Sequence, residues 1–166
     1  MTKKTKILDK KQLEQKINRL AWEIYERNYS QTELLIVGIE KRGVETSKRI
    51  ANAISNISNI KVKRAKILMD KDNPLSSKIN ISVDHADFEN KIVILVDDVL
   101  NSGKTLIYAA QQFLSVPLVN LSTLVLVNRN HNQYPIKADY VGLSLSTTLQ
   151  DHVNVVFGKD EGIYLS

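Results

Sequence analysis

Apolar positions along this chain change their period several times, and each change marks an element. Leu13, Ile17, Leu20, Ala21 and Ile24 recur at three- and four-residue spacing, the stripe of one helix face. Asp9, with Gln12 three residues later, reads as the N-cap and capping-box partner of that helix. Residues 34–37 are a short continuous apolar run ending at Gly38, after which Val44, Ser47, Ile50, Ala51 and Ile54 return to helical spacing. A strand, a turn and a helix are predicted. Residues 60–68 alternate polar and apolar as a strand does. Residues 70–90 are polar and broken by Asn73-Pro74, Ser76-Ser77 and Asp84, which predicts a long loop or mobile hairpin.

The most hydrophobic run is Ile92-Val93-Ile94-Leu95-Val96, rich in β-branched residues and predicted to be a strand buried on both faces. It ends in two acids, Asp97 and Asp98. After a turn at Asn101-Ser102-Gly103, residues 105–113 carry helical spacing, and residues 121–127 form another buried-strand run. Strands alternating with helices predict an α/β protein with a parallel sheet and right-handed crossovers. Ligands bind such sheets beyond the carboxyl ends of the strands, so the turns after Val37 and Val96 are the candidate sites.

Composition narrows the chemistry. A chain of 166 residues without repeats or linker-like stretches is read as one domain, 1–166. With no cysteine it can have neither a disulfide framework nor a thiolate metal site nor a cysteine nucleophile. No apolar run reaches signal-peptide or membrane-span length, so the expected location is cytoplasmic, with no membrane partner. The 23 basic and 18 acidic residues give a net charge of +5, compatible with an anionic ligand or with nucleic acid and deciding between neither.

The turn after Val96 has a definite chemical logic. Backbone amides at the start of the following helix have no intrahelical acceptor, Gly103 permits close approach, and Ser102 and Thr105 add hydroxyl donors, as a phosphate monoester requires. Asp97 and Asp98 would repel a phosphate but accept hydrogen bonds from a vicinal diol. A ligand carrying both a phosphate and ribose hydroxyls satisfies both ends. A nucleotide-binding P-loop is disfavoured because its first glycine would fall at Asp98. A purely structural turn explains the Ser-Gly-Lys-Thr alone, but not the paired acids before it.

With these residues in view, the stretch 93–105 resembles the phosphoribosyl pyrophosphate signature of type I phosphoribosyltransferases. That resemblance implies a central, mostly parallel sheet flanked by helices, a small hood and a flexible loop. It implies that Asp97 and Asp98 hold the ribose hydroxyls, while Val99, Leu100, Asn101, Ser102, Gly103, Lys104 and Thr105 cradle the 5-phosphate. It also makes the turn at Lys41 and Arg42 the pyrophosphate loop, where Arg42 is suited to bidentate contact. The segment 124–142 and the Ser146-Thr147 pair before the last strand are similar to the bifunctional pyrimidine operon attenuator and uracil phosphoribosyltransferase family. Asn128, Arg129 and Val153 then fall on the base side. Purine-class relatives carry an acid where this chain has Asn101, which cannot act as a general base, so a pyrimidine is expected. His131 is read as a loop histidine rather than a base.

The resemblance implies transfer of phosphoribose from phosphoribosyl pyrophosphate to a pyrimidine base, uracil giving UMP. Mg²⁺ is the expected cofactor, held mainly by substrate, with Asp97 or Asp98 acting through water or the ribose hydroxyls. Asp97, Asp98 and Arg42 are the candidate catalytic residues, and residues 70–90 are expected to close over the site. The chain departs from the family at Met69, where an arginine usually opens the loop, and at Glu40, Asn128 and Asn130. A missing loop arginine removes charge stabilisation from the departing pyrophosphate. Two alternatives follow: a nucleotide-sensing regulator that binds a leader RNA through a basic face at Lys61, Lys63, Lys66 and Lys137, or a chain that binds a nucleotide only structurally. Relatives tend to assemble, so a homo-oligomer, dimer or tetramer, is expected.

Overall fold

The computed structural model describes residues 4–166. Six strands form the main sheet and three a smaller one. Strand β1 (Thr5–Asp9) leads into helix α1 (Lys10–Asn28), whose start is fixed by the reciprocal Asp9 and Gln12 capping box at 2.8 and 2.9 Å. The buried face of α1 is Leu13, Ile17, Leu20, Ala21 and Ile24, the stripe expected from the spacing. Strand β2 (Glu33–Ile39), helix α2 (Arg42–Ile57) and strand β3 (Lys61–Leu68) form the next unit. Strand β4 (Asn80–Ile81) and the short helix α3 (His85–Phe88) follow, then β5 (Ile92–Leu100), α4 (Lys104–Gln111), β6 (Asn120–Asn128), β7 (Tyr140–Ser144), β8 (Val153–Val156) and β9 (Gly162–Leu165).

The main sheet has the order β4-β3-β2-β5-β6-β7, with β3, β2, β5, β6 and β7 parallel and β4 antiparallel at its edge. Alternation along β2 separates two cores. Leu34 and Ile36 pack with α1 and α2 residues on one face, while Leu35, Val37 and Ile39 pack with Leu106, Ala109 and Phe113 on the other. The chain leaves β2 for β3 on one side and β5 for β6 on the other. The carboxyl ends of β2 and β5 therefore flank a topological switch point, where the crevice opens. The smaller sheet, β1-β9-β8, is antiparallel and forms the hood. No helix among the described residues is long and apolar enough to cross a membrane.

Two expectations are corrected and a third is refined. The central strand does not end at Val96: its ladder with β6 runs on through the Asp97–Val125 and Leu100–Asn128 pairs, so both acids lie in the strand itself. Of the long loop or hairpin expected over residues 70–90, the structure has the hairpin, followed by a short helix that was not expected. Asn80 and Ile81 pair with Leu68 and Ile67, and α3 buries Phe88 edge-on against Phe113 at 4.9 Å between ring centroids. Two strands, β8 and β9, follow Ser146-Thr147 where one was expected.

Candidate active site

Two turns meet above the switch point. Between β2 and α2, residues 40 and 41 reverse the chain, with Lys41 at φ 50° and ψ −103°, outside the regions that L-residues ordinarily occupy. Strain held in a short turn at the crevice is characteristic of backbone shaped for a ligand. Lys41 and Arg42 are exposed, whereas Gly43 is buried against β5. A Cβ on Gly43 would lie 2.8 Å from the Val96 carbonyl oxygen and 3.2 Å from Asp97 Oδ1. Glycine is what lets α2 start directly against the acid pair.

Between β5 and α4, Gly103 adopts φ 87° and serves as the cap of α4. Ile107 N–H donates to Gly103 O at 3.0 Å, so the Thr105 and Leu106 amides precede the first helical bond and face the crevice end of the helix. Ser102 Oγ accepts from Lys104 N–H at 3.2 Å. The loop is braced from below, because the amides of Gln133 and Tyr134 both donate to Ser102 O, at 2.8 and 3.0 Å. Residues 99–106 with Asp97, Lys71 and Asp72 line a cavity of about 270 Å³ here. Its dimensions and donors suit a phosphate.

This cavity adjoins a larger one of about 550 Å³, lined by Glu40, Lys41, Arg42, Met69, Asp70, Lys71, Asp72, Asp97, Asp98, Val99, Thr105 and Val153. The two acids are its floor. Asp97 and Asp98 are 3% and 7% exposed, and such carboxylates need compensation. Lys71 Nζ donates to Asp97 Oδ1 at 2.8 Å and lies 3.8 Å from Asp98 Oδ1, while Arg42 Nη1 reaches Asp98 Oδ2 at 3.5 Å. The Asp98 amide also donates to Asp97 Oδ1 at 2.9 Å. Burial, reinforced by the negative charge of Asp98, pushes the Asp97 carboxyl up to about 7, against the opposing pull of Lys71.

The structure thus brings together Lys41, Arg42, Asp97, Asp98, Val99 to Thr105 and Val153. It does not bring Asn128 or Arg129 to either cavity wall. Arg129 is 6% exposed, and its guanidinium is occupied by Thr147 Oγ1 at 3.0 Å and the carbonyls of Thr148 and Asp151 at 3.0 and 2.7 Å. It pins the segment between β7 and the hood. His131 does the same, with Nε2 2.7 Å from the Thr147 carbonyl oxygen. The lysines read as a basic face do not share one. Lys61 and Lys63 project from the opposite side of β3 to Lys66, and Lys137 precedes β7 at the far edge of the sheet. Lys71, Asp70 and Asp72 were not singled out from sequence; the signal was a lysine between acids in the loop predicted to cover the site.

Among the described residues no group of three or more His, Cys, Asp or Glu side chains could cage a metal ion. A divalent cation at the acid pair would take most of its ligands from substrate and water. Mg²⁺ fits that pattern: the donor set is oxygen only, and a cation, the Lys71 ammonium, already finds a seat on it.

Comparison with known proteins identifies a family. The family model described as the phosphoribosyl transferase domain matches residues 3–161. A Bifunctional protein PyrR from Clostridium acetobutylicum is 37% identical, covering 97% of this chain and 95% of its own. The protein of the same name from Pediococcus pentosaceus is 33% identical, covering 96% of both. Among solved structures, a hypoxanthine phosphoribosyl transferase of Trypanosoma cruzi superposes with a TM-score of 0.73 at 18% identity, covering 85% of this chain and 77% of its own. A hypoxanthine-guanine phosphoribosyltransferase from Bacillus anthracis gives 0.71 at 20% identity, covering 84% and 81%. At such identities the structural likeness concerns the fold.

Proposed function

Because the chain belongs to the phosphoribosyl transferase domain family, and within it to the bifunctional PyrR proteins, we infer that it transfers phosphoribose from phosphoribosyl pyrophosphate to a pyrimidine, uracil giving UMP. The observation that carries this reading is the adjacency of a buried acid pair and a helix N-terminus across one crevice. The ribose hydroxyls donate to Asp97 and Asp98, and the 5-phosphate accepts from the amides and hydroxyls of residues 101–105. On this reading the anomeric carbon lies where the two cavities adjoin at Val99, with the diphosphate toward Lys41 and Arg42 and the base toward Val153.

In the reaction a pyrimidine nitrogen bonds to the anomeric carbon as the bond to the diphosphate oxygen breaks. The electron pair leaves with the diphosphate and the nitrogen's proton is released. Lys41 and Arg42 receive the negative charge of the leaving group, and the acid pair stabilises the cationic ribose. Mg²⁺, held through water by Asp97 or Asp98, would neutralise diphosphate charge when bound. Pyrophosphate release should depend on uracil, and Asp97→Asn/Asp98→Asn should abolish it. Release with hypoxanthine, guanine or orotate but not with uracil would overturn the choice of base.

The name shared by the curated relatives, bifunctional, favours a second role. For this chain that role is binding of a pyrimidine-operon leader RNA in response to nucleotide. Salt-dependent binding that survives competition by bulk transfer RNA would support it, and loss to that competitor would refute it. The same reading takes residues 1–166 as one unit, working in the cytoplasm and associating with copies of itself. Sedimentation reads out the assembly.

A further inference from the structure

The acids that would receive a ribose are already engaged. Lys71 Nζ lies 2.8 Å from Asp97 Oδ1 and 3.8 Å from Asp98 Oδ1, and the two carboxylate side chains are only 4% and 10% exposed. Lys71 belongs to the loop after β3, and its backbone is shaped to present it inward. Asp70 Oδ1 accepts from the amides of Asp72 and Asn73 at 2.9 and 3.0 Å, and Asp70 Oδ2 accepts from the Ser76 hydroxyl at 3.2 Å. Lys104, at the start of α4, donates to the Asp72 carbonyl at 2.9 Å. The turn that carries Lys71 is therefore tethered to the phosphate end of the crevice.

Electrostatics explains why a cation sits there, and competition for one carboxylate oxygen explains why it leaves. Adjacent buried carboxylates repel each other, and the 3.5 Å contact from Arg42 is too long to compensate both. A ribose diol donating to Asp97 competes for Oδ1, the oxygen on which the ammonium sits at 2.8 Å, so a ribose on the acids displaces the ammonium. The strongest negative charge then within reach is a diphosphate lying toward Lys41 and Arg42, across the same cavity. Of the loop residues lining that cavity, Met69, Asp70, Lys71 and Asp72, Lys71 carries the positive charge.

We propose that Lys71 is a mobile counter-ion, held on Asp97 until phosphoribosyl pyrophosphate binds and then transferred to its diphosphate. There it steadies the leaving group. The proposal rests on the phosphoribosyl reading of the crevice and adds to it a further residue that touches substrate. It makes an uncommon demand on one substitution. A lysine that merely attracts anions would, when removed, weaken every anionic ligand alike. A lysine that competes for the acids and then serves the diphosphate affects two ligands in different ways.

The test is equilibrium binding, with Mg²⁺, of phosphoribosyl pyrophosphate and of ribose 5-phosphate, which lacks both diphosphate and base, to the whole chain and to Lys71→Met. The preference for phosphoribosyl pyrophosphate over ribose 5-phosphate should shrink about tenfold in Lys71→Met, the order expected for one lost charge-assisted hydrogen bond. Ribose 5-phosphate itself should bind no more weakly, and Lys71→Arg should keep most of the preference. An unchanged preference, or equal weakening of both ligands, overturns the role of Lys71 while leaving the phosphoribosyl reading intact. A wild-type chain that binds neither ligand overturns both.

Discussion

Asp97 is where burial and charge conflict most directly. Its carboxyl is pushed up to about 7, first by burial and then by Asp98, so between the ordinary value of 3.8 and about 7 the folded chain holds a proton that the unfolded chain has lost. Stability contributed by this group is complete below about pH 4 and is lost as the pH rises through about 7. Asp97→Asn cannot titrate. The stability of the wild type relative to Asp97→Asn should therefore fall by a few kcal/mol across that interval and level off above it, as measured by urea denaturation at each pH. A difference independent of pH would mean that Lys71 and Arg42 fully offset the burial. Gly43 is the second sensitive residue, because α2 starts against β5 only in the absence of a Cβ. Gly43→Ala should cost about 1–3 kcal/mol by overpacking and should displace the Arg42 turn from the acids. Weakened binding of phosphoribosyl pyrophosphate, beyond what the stability loss explains, checks that displacement.

Among the elements, the loop between β3 and β4 joins chemistry to motion. It is held over the crevice by polar ties from Lys71 to Asp97, from Lys104 to the Asp72 carbonyl and from the Met69 amide to Glu40, while Leu75 is 79% exposed. Amide exchange in residues 70–78 should be fast in the free chain and markedly slower with phosphoribosyl pyrophosphate and Mg²⁺. Exchange that is unaffected by ligand would deny this loop a role as a lid. What could be foreseen of the elements follows from where their stabilisation originates. Helix α1 was legible because its capping box and apolar stripe are local. The extension of β5 through Asp97 and Asp98 was not, because two acids belong in a buried strand only when Lys71 and Arg42, distant in sequence, arrive beside them. Helix α3 has a single buried residue, Phe88, whose partner Phe113 lies beyond the next strand, so no periodicity announced it. Strand β1 is mostly exposed and exists through pairing with β9 at the other end of the chain. The turn between β5 and α4 was legible from one short segment as a glycine-bearing strand-to-helix connection; the lysine that occupies the acids before it was not, since only the folded chain brings residue 71 to residue 97.

At the scale of the whole molecule, the question is how a hood made from both ends of the chain is registered over a site made from its middle. Val153 in β8 reaches the crevice wall, so displacement of the hood would reshape the base side without touching the acid pair. A polar cluster centred on Arg49 spans the gap. Arg49 of α2 makes a bidentate pair with Glu161, through Nη1 to Oε1 at 2.6 Å and Nη2 to Oε2 at 3.0 Å. Its Nε donates to Glu45 at 2.9 Å, and its guanidinium lies over the Phe157 ring at 4.5 Å. Glu161 is 8% exposed, and its bonds to Arg49 hold its carboxyl below the usual range. Its stabilising contribution is thus present above about pH 4.5 and lost as the pH falls through its lowered value. Glu161→Gln keeps the shape but leaves Arg49 short of its counter-charge. At neutral pH it should cost about 3 kcal/mol, with the deficit relative to the wild type shrinking in acid. Because α2 also carries the Arg42 turn, the same variant should disturb base selection and pyrophosphate release together. A Glu161→Gln chain that is less stable but unchanged in kcat and KM would show that the cluster holds the hood on without registering it over the site.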